Sequence, residues 1–396
     1  MRHISDQERR ARLGRRHRLA PEHAASTAEQ AARAVVALHA TDPGSVYLSA
    51  AARSRGLRPE SLDWSLYEER TLVRQLAMRR TLFVFPRDLL PAVWASAGAR
   101  TADFERRRIA KDLVVSGATG DPETWLAAAR AEVLSALGAG PMSARGLRTA
   151  VPRIDRTVTI APGTKWGGEV PLTPRVLAWL GARGDVVRGP NDGGWWVSRP
   201  LWAAASDWLD EAPGDHSTIE PDTGYRQIIE RWLHAFGPGT EADLVWWLGS
   251  TKTAVRHALR SLAAVAVTLD SGEIGYVLPE DEAPEPDAGP WAALLPVLDP
   301  TTMGWKQRDF YLDREDTPYL FDSAGNAGPT AWLDGRIVGC WVQDPDGTVQ
   351  VVLRQAVSSS GRGLLEAQAA HLTSWLDGRV ISSPYMGSQR LGVPLR

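Results

Sequence analysis

The stretch Leu38-His39-Ala40-Thr41-Asp42-Pro43 sets an imidazole, a hydroxyl and a carboxylate almost side by side. Together these groups can hold and polarise one water molecule. Pro43 disfavours helix at the residue before it, so a preceding helix must end at or before Asp42. Residues 39–42 are then extended or in a turn. In an extended segment, side chains two apart point the same way. His39 and Thr41 would face one side together, with Asp42 beside them. The same residues also suit a local task, a His that caps backbone and an Asp-Pro turn. Spacing alone leaves both readings open.

The elements around this stretch must position it. Residues 27–37 form an Ala-rich amphipathic segment, and 45–53 read as a second helix. Residues 70–85 open as an amphipathic helix and end β-rich. Helices followed by a hairpin make a winged helix. The pattern recurs at 122–198, with helices at 123–137, from 143 and at 173–184, then strands at 185–188 and 194–198. A third copy has helices at 225–236, 241–248 and 251–263, with Thr240 as an N-cap. Its wing is 265–270 with 273–278, around Ser271-Gly272. Residues 280–290 form an acidic, Pro-containing linker. Beyond them come strands at 294–298, 330–334, 336–342 and 348–353, a turn at Asp344-Pro345-Asp346-Gly347, and a helix at 361–376. This last part reads as a small antiparallel barrel or sandwich.

Composition narrows the class. The chain has 396 residues, 43% hydrophobic and 23% charged, and so is globular with room for two to four domains. Its single cysteine, Cys340, excludes an intrachain disulfide and fits a reducing compartment. No apolar run approaches the ~20 residues that span a bilayer, and no signal peptide opens the chain. There is no zinc-type Cys/His spacing, phosphate loop or dinucleotide fingerprint, so no metal or cofactor is expected. The net charge of -2 does not itself advertise nucleic acid. Only four lysines occur, Lys111, Lys165, Lys252 and Lys306, and the other 41 cations are Arg. Arg offers forked donors suited to phosphate, although nucleotide composition bias also favours it.

Four blocks resemble the winged-helix DNA glycosylases of the YcaQ and AlkZ kind. The first is 38–42, where that family has Gln-apolar-Gln or Gln-apolar-Asp. The second joins Arg70-Thr71-Leu72-Val73 to Met78-Arg79-Arg80-Thr81-Leu82. The third joins Phe236-Gly237-Pro238-Gly239-Thr240 to Asp243 and Trp246-Trp247-Leu248-Gly249. The fourth runs from Leu294-Leu295-Pro296-Val297-Leu298-Asp299-Pro300 through Gly304 and Arg308, then Gly328, Pro329, Leu333-Asp334-Gly335-Arg336-Ile337-Val338-Gly339 and Trp341.

The resemblance implies an α+β fold of three tandem winged-helix units and a C-terminal antiparallel β-barrel, C-shaped around DNA. The units would be 1–115, 116–215 and 216–285, with the barrel at 286–396. It also implies a DNA glycosylase that excises bulky or cross-linking N7-alkylated purines from duplex DNA without full base flipping, and the scarcity of lysine makes monofunctional chemistry the expectation. Its setting would be alkylation repair or genotoxin self-resistance, in a cytoplasmic, nucleoid-associated monomer. The alternative is a non-catalytic winged-helix DNA-binding protein.

An N7-alkylpurine carries positive charge and already leaves well. The remaining task is to place water and stabilise an oxocarbenium-like sugar. His39 and Thr41 stand where the family has its Gln pair, and Asp42 is the nearest carboxylate, so these three are the candidate catalytic residues. A Schiff-base step is disfavoured by the scarcity of lysine. For DNA contact the candidates are Arg15 and Arg16 of the basic run 9–18, Arg79 and Arg80 before the first wing, and Lys252, Arg256 and Arg260, which share a helix face. Each also fits a solvated charged surface. Asp299 and Arg308 match the fourth block, where a buried ion pair or a turn competes with a DNA contact for Arg308. Trp246-Trp247 read as core, whereas one of Trp195 and Trp196 is free to stack.

Overall fold

The structure, a computed structural model, describes residues 1–161, 163–164, 167–209, 219–384 and 386. One order of elements occurs three times among them. The first copy has the helix Ala28–Arg33, the strand Leu38–His39, the helices Pro43–Ala51 and Pro59–Asp63, and the hairpin Leu72–Leu76 with Leu82–Pro86. The second has Pro122–Leu137, Met142–Ser143, Ala144–Ala150, Thr173–Arg183, and the hairpin Val186–Asn191 with Pro200–Ala204. The third has Pro221–Phe236, Gly239–Thr240, Glu241–Leu248, Lys252–Ser261, and the hairpin Val265–Leu269 with Ile274–Val277. In each, the two-residue strand pairs with the second strand of its hairpin.

The junction from short strand to helix is chemically alike in all three. Asp42, Ser143 and Thr240 are the N-caps, each accepting the backbone N–H three residues on, at 3.0, 3.0 and 3.1 Å. A short polar side chain there satisfies an otherwise orphaned donor, which starts each helix where it starts.

Two sequence expectations are corrected. Residues 72–76 are a strand, not a helix, because the 72–75 stretch is buried on both faces. A strand covered on both sides shows no period-two alternation. The second-copy wing returns at Pro200–Ala204 instead of 194–198, with Trp195 buried and Trp196 40% exposed in the connecting turn.

The C-terminal sheet is also not a closed barrel. Ala292–Leu295, Thr330–Leu333, Arg336–Gln343 and Val349–Leu353 form an open antiparallel sheet in chain order. The helix Ser359–Leu376 packs across it and buries Leu365, Ala369 and Leu376. A helix covers the apolar face, so strand-to-strand closure is unnecessary. Among the described residues no helix is long and apolar enough to cross a membrane.

One apolar core runs continuously through the first copy, the third copy and the C-terminal sheet, while the second copy has its own. The second hairpin separates them by pleat alternation. Val187 and Ala203 face the shared core, whereas Val186, Trp202 and Ala204 face the private one.

A buried polar chain pins the shared body. Arg53 and Asp299 are both 0% exposed and form a bidentate pair at 2.6 and 2.8 Å. Arg53 also donates to the Thr301 hydroxyl at 2.6 Å, which lies 2.8 Å from His17 Nδ1. His17 Nε2 donates to the Ala235 carbonyl at 3.1 Å, so Nδ1 is the acceptor and the ring is neutral. Burial first, then Arg53, pushes His17 down to about 3. A folded-state value below the ordinary 6.5 means that the unfolded chain binds the proton first. Stability from this group is therefore complete above pH 6.5 and is lost as pH falls toward 3, by ~1.4 kcal/mol per unit. Urea midpoints at about pH 8 and pH 5 should show His17→Gln losing less stability on acidification than wild type. An equal loss would refute this account.

Candidate active site

His39 lies at the end of the strand Leu38–His39, opposite Phe83 in antiparallel register. Val36 precedes it at φ 65°, a strained value for a β-branched residue, and swings the chain from helix into strand. The His39 ring packs edge-on to Phe83, with centroids 5.0 Å apart. Its Nδ1 lies 3.4 Å from the Thr41 backbone N–H, which assigns the proton to Nε2. No described residue accepts from Nε2. Burial first, then the charge of Arg79, pushes the ring down to about 4. His39 is therefore neutral near pH 7.

The ring borders a small cavity of about 40 Å³. Its walls come from three parts of the chain. The first copy supplies His39, Arg79, Thr81 and Phe83, the third supplies Trp247, and the long 296–329 connection supplies Pro300, Met303 and Asn326. Water needs roughly 10–15 Å³ of such space, so the cavity holds a few molecules. Pockets that enclose small-molecule ligands measure roughly 300–1,000 Å³, so this cavity is water-sized and not ligand-sized.

The connection is clamped at several points. Pro300 and Thr301 follow the buried Asp299. Asp243, itself 0% exposed, accepts the backbone N–H groups of Lys306 and Gln307 at 2.9 and 3.1 Å. The other oxygen of Asp243 completes the Thr240 capping box, which ties the connection to the helix bearing Trp246 and Trp247.

The guanidiniums at this site have unlike surroundings. Arg79 and Arg80 sit consecutively at φ 53° and 60°, in the turn before Leu82–Pro86. Arg79 is exposed, stacks on Trp246 with its Cζ 4.3 Å from the ring, and has no carboxylate partner among the described residues. Gly249, at φ 61°, leaves room for it; a Cβ there would lie 3.1 Å from the Arg79 Cγ. Arg80 lies over Phe104 and is 3.7 Å from Glu105. Arg308 stacks on Phe321 at 4.2 Å and donates to the Gly325 carbonyl at 3.4 Å, bracing the connection.

The other expected residues lie elsewhere. The Thr41 side chain is exposed and does not line the cavity. Asp42 is 8% exposed, and its Oδ1 receives the Ser45 N–H with the Ser45 hydroxyl at 2.9 Å. Arg15 and Arg16 do not present free cations. Arg15 donates to Glu285 at 3.0 Å, and Arg16 forks onto Asp281 and Glu285 at 2.7 to 3.0 Å. The basic run and the acidic linker, read separately in the sequence, neutralise one another. Arg256 pairs with Glu241 at 2.6 Å, while Lys252 and Arg260 are exposed on the same helix. Asp299 forms a buried ion pair, with Arg53 as its partner.

Sequence reasoning missed Asn326, Met303 and Pro300. They reach His39 from the far end of the chain, and no local spacing marks them. Among the described residues no three His, Cys, Asp or Glu side chains group as a metal site would need.

Comparison with known proteins agrees with this architecture. The DNA glycosylase AlkZ of Streptomyces sahachiroi is similar in structure, with a TM-score of 0.72 at 19% identity, and 100% of each chain is covered. No curated protein matches. A family model for AlkZ-like DNA glycosylases matches residues 32–375. The chain belongs to the AlkZ-like DNA glycosylase family.

Proposed function

We propose that this protein is a monofunctional DNA glycosylase that hydrolyses N7-alkylated purines from duplex DNA. We also read its three repeats as winged-helix units, at 1–115, 116–215 and 216–285, followed by the C-terminal domain 286–396. The observation that carries the proposal is the His39 cavity: it is water-sized, and it presents a neutral ring N–H that no described protein group accepts. A site built around water suits a substrate whose base needs little help to leave. Glycosylases that swallow a flipped base need a base-sized pocket.

In the reaction, the C1′–N9 bond breaks and its electron pair passes to the cationic purine, which leaves neutral. The water oxygen bonds to C1′, and its proton passes to solvent. His39 contributes a fixed dipole that holds the water. Thr41 contributes its backbone N–H, which sets the ring's tautomer. Asp42 acts as a helix cap. Exposed cations at the cavity mouth and on the helix Lys252–Ser261 suit the phosphate backbone; Arg79, Arg80, Lys252 and Arg260 are the candidates.

The test is incubation with a duplex that carries N7-methylguanine or an N7 cross-link, followed by alkali to reveal abasic sites. Base release above background is expected; background release across several N7 adducts would sink the proposal. That outcome would favour a non-catalytic DNA-binding protein, the reading supported by the missing Gln pair and by Thr41 facing away from the cavity. Either reading predicts a phosphate contact at Arg79. The slope of log affinity against log salt should fall by about one for Arg79→Ala. An unchanged slope would remove Arg79 from the DNA interface.

A further inference from the structure

The resemblance places Gln-apolar-Gln or Gln-apolar-Asp at residues 38–42, hence at least one carboxamide, and this chain has none there. A carboxamide nonetheless lines the same cavity, from the opposite end of the chain. Asn326 and His39 are both wall residues of the water-sized space.

The orientation of the Asn326 amide is determined by chemistry. Its nitrogen lies 2.9 Å from Asp322 Oδ2, and a carboxylate can only accept. The NH2 group must therefore face Asp322, which turns the carbonyl oxygen the other way. No described residue donates to that oxygen. Asp322 holds the whole turn, because its Oδ1 also accepts the backbone N–H groups of Ala324 and Asn326 at 2.9 and 2.8 Å. Its backbone N–H donates to the Asn326 carbonyl at 3.0 Å, and Arg308 braces Gly325 from outside. An amide locked on one side and unpartnered on the other is preorganised.

Beside the Arg79 guanidinium and the Thr81 hydroxyl, the cavity wall thus carries a ring donor without an acceptor, the His39 Nε2–H, and a carbonyl acceptor without a donor, the Asn326 Oδ1. A water molecule needs both. We propose that Asn326 replaces the acceptor lost from the 38–42 segment, so that one water bridges the His39 ring N–H and the Asn326 carbonyl. The water receives a hydrogen bond from His39 and gives one to Asn326. Its remaining lone pair is then free to meet C1′ of the substrate. The catalytic function of this bridge rests on the glycosylase reading above; the bridge itself does not.

Two measurements test it. A crystal structure of the wild-type protein should show an ordered water about 2.7–3.2 Å from both His39 Nε2 and Asn326 Oδ1. An empty cavity, or a water that touches only one of them, overturns the proposal. In single-turnover assays on duplex N7-methylguanine, Asn326→Leu should lower the rate about ten- to a hundredfold, with duplex affinity unchanged. Asn326→Asp keeps an acceptor, and its rate should rise with pH as the new carboxyl ionises. A merely structural role for Asn326 would slow both variants equally at every pH, and that result, like a wild-type rate in Asn326→Leu, overturns the proposal. If wild type releases no base although the bridging water is present, the glycosylase reading falls and the bridge stands.

Discussion

Asp299→Ala is expected to destabilise the protein by about 3–5 kcal/mol, because it strands a buried guanidinium. Asp299 accepts four hydrogen bonds besides closing the ion pair's charge: two from Arg53, one from the Ser49 hydroxyl at 2.7 Å and one from the Thr301 N–H at 2.8 Å. Those bonds and burial compete, and the partners win, holding the Asp299 carboxyl below the ordinary carboxylate range. Removing the carboxylate leaves Arg53 at 0% exposure with its charge uncompensated. Replacing both partners, as Arg53→Met with Asp299→Leu, should recover most of the loss, since well-packed apolar substitutes for buried ion pairs are often neutral. Urea unfolding of the single and double variants checks this. A loss below about 1 kcal/mol in the single variant would show that the pair does not clamp the fold. The damage should also reach the site, because Pro300 beside Asp299 forms part of the cavity wall.

The second large effect concerns His39. His39→Leu should slow single-turnover base release by about 10²–10³, the usual cost of deleting one preorganised dipole at a reacting group, without changing duplex affinity. His39→Gln should stay within about tenfold of wild type, because a carboxamide restores a donor at that position. The ring's value of about 4 makes a further point. The pH profile of kcat/KM reports the free enzyme, so His39 should add no inflection between about pH 6 and 8. A bend near pH 6.5 that disappears in His39→Gln would mean that His39 works as a base, and the fixed-dipole role would fail.

Much of the architecture was legible because it is local. Caps such as Thr240, the Pro-bounded helices and the Gly-containing turns announce themselves within a few residues. The third copy and the C-terminal strands lie within a few residues of their expected positions. Two of the fold errors come from tertiary packing. Leu72–Leu76 lost its strand signature because both its faces are covered. The open C-terminal sheet looked like a barrel because the helix that seals it leaves no mark on the strands themselves.

The sequence alone determined that this chain is a repeated helix-and-hairpin protein, that His39 stands in an extended or turn segment bounded by Pro43 between two helices, and that four blocks align it with one enzyme family. These properties depend on neighbours in the chain. Only the tertiary structure decided which charges are available and which are not. Arg15 and Arg16 are held by Glu285 and Asp281, whereas Arg79, with no carboxylate partner among the described residues, stays exposed on Trp246. Only the tertiary structure separated the neighbours of His39, turning Thr41 outward and Asp42 into a cap, and brought Asn326 to the same cavity. The physical reason is that charge pairing and water-holding depend on distance through space, and a water site closed by residues from both ends of the chain has no signature along it.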